Sequence, residues 1–161
     1  MESESRGTVI GQLLAILDEA FSQPVISWNY FTDPSPESGY FGVLSRLDAS
    51  GAARLVGGTS VASQIGHITF AMHAAAAFIQ GNPDAPGLER WRQSWQVPKM
   101  DAETWAQMQA QLRDAYHDLR RAIEFLDASQ IQSLGGAIGA IAHVAYHLGA
   151  IKQKLAIISD A

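Results

Sequence analysis

The chain contains no cysteine, which excludes disulfides, thiolate nucleophiles and thiolate-bound zinc, so any metal would rest on imidazole nitrogens and carboxylate oxygens. Positive charge is also scarce. Eleven Lys and Arg stand against sixteen Asp and Glu, a formal charge of −5, and no basic run is long enough to track a phosphate backbone. Nucleic acid is therefore not an expected partner. Charged residues are only 17% of a chain that is 47% hydrophobic, the balance of a packed globular core. Met1–Gly7 (MESESRG) lacks the basic and then apolar blocks of a secretory signal; these residues are expected to be disordered, and the cytoplasm is the expected location.

At 161 residues a single domain with one core is expected over the whole chain. Two stretches, Val61 to Ile79 and Ile131 to Ile151, are long and poor in charge and call for a membrane test. Each carries two histidines, and both are rich in Gly and Ala, weak drivers of insertion. They read as buried helices of a soluble protein, with no membrane partner.

Periodicity sets out four helices. Thr8 caps the first, which runs to about Ser22 with Val9, Leu13, Ile16, Leu17 and Ala20 on one stripe, and Pro24 ends it. From Pro24 to Gly58 the pattern breaks at Asp33-Pro34-Ser35-Pro36 and Gly57-Gly58, with a short helical turn possible over Phe41 to Leu47. This long connection holds Trp28, Tyr30, Phe31, Tyr40 and Phe41, so it is expected to pack on the helices. Thr59 or Ser60 caps the second helix, which passes His67 and Phe78 and stops near Gly81-Asn82-Pro83. A linker of about twenty residues follows to Met100, long enough at roughly 3.3 Å per residue to climb back along the helices and make the third run parallel to the second. Asp101 caps that third helix, with Trp105, Met108, Leu112, Ala115, Leu119, Ala122 and Leu126 on its stripe. The fourth spans about Ile131 to Ile158, with Leu134, Ile138, Ile141, Ala145, Leu148 and Leu155 on one side. With no convincing strand, the fold class is all-α, a four-helix bundle.

His143 and His147 are four residues apart, which on a helix stacks both rings on one face within reach of one ion. The spacing alone is a weak signal, since paired surface or core histidines four apart on a helix are common. Around the helix they lie away from the Leu134, Ile138, Ile141, Leu148 stripe, on a second strip with Gly136, Ala140, Ala150 and Lys154. Its small residues leave room for a ligand, or simply permit close helix packing. Helix two offers His67 as a third ligand, preceded by Ser60, Ser63 and Gln64 near the same face. That polar strip is either an N-terminal cap or a hydrogen-bonding wall behind a metal, and Ser63, Gln64 and Lys154 are the candidates for supporting or lining the site. His73 lies about 240° around from His67 and reads as structural or surface; His117, among Arg113, Asp114, Asp118 and Arg120, reads as solvated. Trp91 and Trp95 either line a pocket mouth or anchor the linker.

The segment Gly57-Gly58-Thr59-Ser60-Val61-Ala62-Ser63-Gln64-Ile65-Gly66-His67-Ile68 resembles the opening of the second helix of DinB-like proteins. His143-Val144-Ala145-Tyr146-His147-Leu148-Gly149-Ala150-Ile151-Lys152-Gln153 resembles their fourth-helix block, and Pro98 to Trp105 the start of their third helix. The resemblance implies an up-down-down-up bundle, often a homodimer, with a three-His site for zinc or nickel built from His67, His143 and His147 between helices two and four. One departure is Thr59, where the family often carries Trp; it bears on the pocket's shape and substrate more than on the ligands.

Such a site implies a metal-dependent enzyme with a small-molecule substrate, activating either a low-molecular-weight thiol, as in S-transferases and isomerases of that superfamily, or water, as in a hydrolase. The thiol is favoured because neither ligand helix offers a carboxylate base. The rival reading is a metal-binding stress or interaction protein without catalysis. Two buried-looking sides on helix four point to a homodimer, unless the aromatic connection covers one of them.

Overall fold

The computed structural model describes residues 8–22, 29–82 and 86–159; the expected disorder of Met1–Gly7, the Pro24 stop, Trp28 and Pro83 lie outside them. Within the described residues the protein is all-helical, with no strand and a single bridge between Val56 and Thr59. Seven helices follow in order: α1 Val9–Phe21, α2 Tyr40–Leu44, α3 Ala49–Ala53, α4 Val61–Ile79, α5 Leu88–Gln93, α6 Ala102–Glu124 and α7 Ile131–Ser159.

The caps are those the side chains favour. Thr8 Oγ1 accepts from the Gly11 N–H at 3.0 Å, and Asp101 Oδ1 accepts from the Thr104 N–H at 2.8 Å, each satisfying a donor that the first helical turn leaves open. At α4 the cap is Ser60, paired reciprocally with Ser63. The preceding Gly57 and Gly58 both have positive φ, 61° and 84°, which closes a tight turn that residues with a Cβ resist.

Of the long helices, α4 packs against α6 and α7, and α1 packs against the same two. The contacts between α4 and α7 run in opposite order along the two helices: Gln64 meets His147 and His67 meets His143, while Phe78 lies over Gly136. Those between α4 and α6 advance together, from Gly66 beside Met108 to His73 beside Asp118. The second pair is thus parallel, as the long linker implies, and α5 sits within that linker.

The core draws on Leu13, Leu17, Ala20 and Phe21 of α1, with Trp105, Met108, Leu112, Ala115, Leu119 and Ala122 of α6, all buried. Val9, expected on the first stripe, is instead exposed, and Leu126 falls just beyond the end of α6. On α7 the inward side matches expectation at Ile141, Leu148 and Leu155 and departs from it elsewhere. Ile138 is 53% exposed, and the buried series is Ser133, Ala137, Ile141, Val144, Leu148, Ile151 and Leu155. This helix is apolar nearly all round, so periodicity alone does not choose which side faces its neighbours. By length and composition it is also the one described helix apolar enough to cross a membrane.

The aromatic connection packs on the helices through Tyr40 and Phe41, while Tyr30 and Phe31 stay exposed. Tyr40 is fully buried and stacks on Phe21 with ring centroids 4.9 Å apart, and its hydroxyl donates to the Val144 carbonyl of α7 at 2.8 Å. The connection is anchored by Glu19, a fully buried carboxylate of α1. Its oxygens accept the backbone N–H groups of Tyr30, Phe31 and Thr32 at 2.7 to 2.8 Å, and Thr32 Oγ1 donates to it at 3.0 Å. A buried charge is tolerated only with such a full set of donors, each contributing about 1.5–3 kcal/mol.

Candidate metal centre

Three imidazoles converge between α4 and α7. His67 Nε2 lies 3.3 Å from His143 Nε2, which lies 2.8 Å from His147 Nε2. One ligand nitrogen from each ring falls within 4.8 Å of the other two. His67 and His147 are buried and His143 is half-buried.

The far nitrogens fix the tautomers. Ser94 Oγ donates to the Trp91 carbonyl at 2.6 Å, so its oxygen is left to accept from His67 Nδ1–H at 2.9 Å. His147 Nδ1–H donates to Gln64 Oε1 in a short contact, while Gln64 Nε2 donates to Thr59 Oγ1 at 3.2 Å, which orients the amide. Both rings therefore present Nε2 lone pairs inward. His143 Nε2 sits between them and could donate a proton to one, leaving the other lone pair facing a nitrogen. A cation satisfies all three at once.

The spacing fits. Bonds of about 2.1 Å to one ion place ligand nitrogens roughly 3.0 Å apart at right angles and 3.4 Å apart at tetrahedral angles, and the two closest separations here are 2.8 and 3.3 Å. Three histidines this close could hold a metal ion. Burial, then the charge of His143, lowers the His67 pKa to about 4. Burial, then His143 and His67, does the same for His147, and burial also lowers His143. The neutral imidazoles that a metal requires are thus the resting state near neutrality.

The polar strip of α4 divides between its two readings. Ser60 and Ser63 form the helix cap, Ser63 Oγ accepting from the Ser60 N–H at 3.0 Å and donating to its carbonyl at 2.9 Å. Only Gln64 turns to the rings. Lys154 is buried but not at the ring nitrogens: its Nζ donates to the Val56 carbonyl in a short contact and to the Thr59 carbonyl at 3.2 Å. It thereby ties the glycine turn to α7 and indirectly steadies Thr59 behind Gln64. His73 is on the surface, paired with Asp118 at 3.3 Å, and His117 is exposed.

The linker contributes more than the sequence reveals. Trp95 stacks on the His67 ring, centroids 4.1 Å apart and planes 16° off parallel, and Trp91 lies 5.7 Å from the same ring. Ser94, which no sequence pattern marks, reaches His67 because Gly66 lets the linker approach: a Cβ there would lie 3.1 Å from the Ser94 carbonyl oxygen. No protein-family model, curated protein or solved structure matches this chain.

Ser94→Ala and Gly66→Ala are each expected to weaken metal binding about 10- to 100-fold, the usual cost of losing a ligand's supporting hydrogen bond, measured by competition with a chromogenic chelator; unchanged affinity in both refutes the supporting role. A second expectation concerns pH. Because the folded pKa values lie below the ordinary 6.5, protons bind the unfolded chain first. The metal-free fold keeps its full stability above about pH 6.5 and loses it progressively between 6.5 and 4. For the same reason bound metal should be retained at pH 6 and released toward pH 4, followed by dialysis and elemental analysis; half-release near pH 6.5 contradicts the lowered values.

Proposed function

We propose that this protein is a DinB-like metalloprotein, an up-down-down-up four-helix bundle whose long helices are α1, α4, α6 and α7, using His67, His143 and His147 to hold one divalent transition ion, zinc or nickel. The observation that carries the reading is the convergence of three Nε2 atoms whose two outer rings are held in the metal-binding tautomer by Ser94 and Gln64. The parallel course of α4 and α6 agrees with that topology.

A divalent ion with three neutral ligands keeps its charge and an open position, and so supplies the acidity that turns a nearby thiol or water into a nucleophile at neutral pH. The residues around it do the rest. Gln64 and Ser94 hold the rings, Trp95 covers the outer face of His67, and the small residues of α4 and α7 leave space beside His143. No Asp or Glu occurs on α4 or α7, so neither ligand helix supplies a carboxylate to take a proton from water. A low-molecular-weight thiol, far more acidic than water, does not need one. We therefore favour a thiol-dependent transferase of the cytoplasm, in which the sulfur bonds to an electrophilic carbon, the leaving group departs with its electron pair and the thiol proton passes to solvent. The same lack of a carboxylate supports a second reading, a metal-binding stress or interaction protein without turnover.

We propose also that the protein is a homodimer through the outer face of α7. Among the described residues Ile138 and Tyr146 are 53% and 71% exposed there, and Gly135 and Gly149 have open space beside them. Two such helices packed antiparallel about Ala142 set Ile138 opposite Tyr146 and Gly135 opposite Gly149, a self-complementary match.

Metal-loaded protein is expected to conjugate a cellular thiol to a chlorodinitrobenzene, followed by absorbance, with His67→Ala inactive; hydrolysis of esters or amides instead favours the water route, and inactivity across metals, thiols and esters favours the binding protein. Sedimentation at micromolar concentration is expected to give a dimer that Ile138→Glu dissociates, and a monomeric wild type rejects it.

A further inference from the structure

Beside His143, α4 and α7 do not close on each other. Four alanines of α4 line a trough there, facing Gly136, Gly139 and Ala140 of α7, with the rings of Phe78 and Trp91 as walls and a cavity of about 280 Å³ between them. Small side chains on both helices are the physical cause: neither reaches far enough to fill the space between the axes. Gly136 sets its depth at one end, since a Cβ there would lie 2.8 Å from the Phe78 ring carbons. His143 closes the other end. From Gly136 to His143 is seven residues, about 10 Å along the helix.

The lining is chemically one-sided. Among the described residues that line it, all but His143, the Trp91 indole and Asn82 present hydrocarbon side chains, and none of them is charged. A charged ligand would lose its hydration there without a partner, whereas an apolar group gains by leaving water. A dry cavity of about 150 Å³ takes benzene, so this one has room for roughly two fused rings or a chain of comparable size.

We infer that the trough between α4 and α7 binds an uncharged, apolar group, aryl or alkyl, with one end against His143. On the metal-centre reading, on which this role rests, the trough holds the apolar body of the electrophile and points its reacting end at the ligand cluster. The cavity itself does not depend on a metal. Its specificity follows from Ala74 and Ala140: larger side chains there shorten or fill the space.

The test is titration of the uncharged fluorescent probe N-phenylnaphthylamine into the full chain, in parallel with imidazole NMR. We expect one saturable site per chain, displacement by naphthalene or octanol but not by succinate, and ring signals of His143 that shift while those of exposed His117 stay. Ala140→Phe and Ala74→Leu should each weaken binding at least tenfold with the thermal midpoint unchanged; if one fails to fold, the other decides. Absence of saturable binding, an unmoved His143, or wild-type affinity in the folded variants overturns the inference. His67→Ala separates the two claims: it should abolish metal binding and keep probe binding. A protein that takes the probe but no metal sinks the metal centre alone, and one that takes metal but no probe sinks the trough alone.

Discussion

Three imidazole nitrogens that face one another, those of His67 and His147 with lone pairs inward, set the constraint around which the helices are arranged. His67 and His147 each have their Nδ1 proton committed to an outer acceptor, Ser94 Oγ and Gln64 Oε1, so their inner nitrogens can only accept. His143, 2.8 and 3.3 Å from them, has one inner proton at most. The cluster is electron-rich, with two of its three rings buried and the third half-buried. The features that hold it are distributed widely: the glycine turn that Lys154 ties down, Thr59 behind Gln64, and Gly66, whose missing Cβ admits the linker. Each acts on the three histidines indirectly, Gly66 through Ser94 and the tied turn through Thr59 and Gln64.

How much of this was legible in the sequence differs from one residue to the next. The four-residue step from His143 to His147 states its geometry directly, because helical periodicity needs no tertiary context. His67 was legible through polar residues in an otherwise apolar helix, although Ser60 and Ser63 turned out to serve the cap and only Gln64 the rings. Ser94 was not legible. It sits 27 residues from its partner, in a segment without periodicity, and its position depends on the space over Gly66. Glu19 was likewise hidden, since an acid next to Asp18 on an amphipathic helix looks like a solvated residue until the N–H groups it anchors are placed beside it.

Among the helices the contrast is between α6 and α7. The outer side of α6 is charged, so its apolar stripe selected the inward face correctly. With few charges to mark an outside on α7, the expected stripe included Ile141, Leu148 and Leu155, which are buried, but took the exposed Ile138 in place of Val144 and Ile151. The same abundance of small apolar residues gives α7 its two remaining features, an outer face rich in glycine with Ile138 and Tyr146 exposed, and the trough it shares with α4. Tertiary packing assigned those faces where local pattern could not.

The centre itself is tested most directly by elemental analysis of the protein prepared without a histidine tag, beside His67→Ala and His147→Ala. The account predicts one divalent transition ion per chain in the wild type and none in either variant, with helical circular dichroism retained in all three. A wild type free of metal, or metal bound equally by both variants, would contradict it.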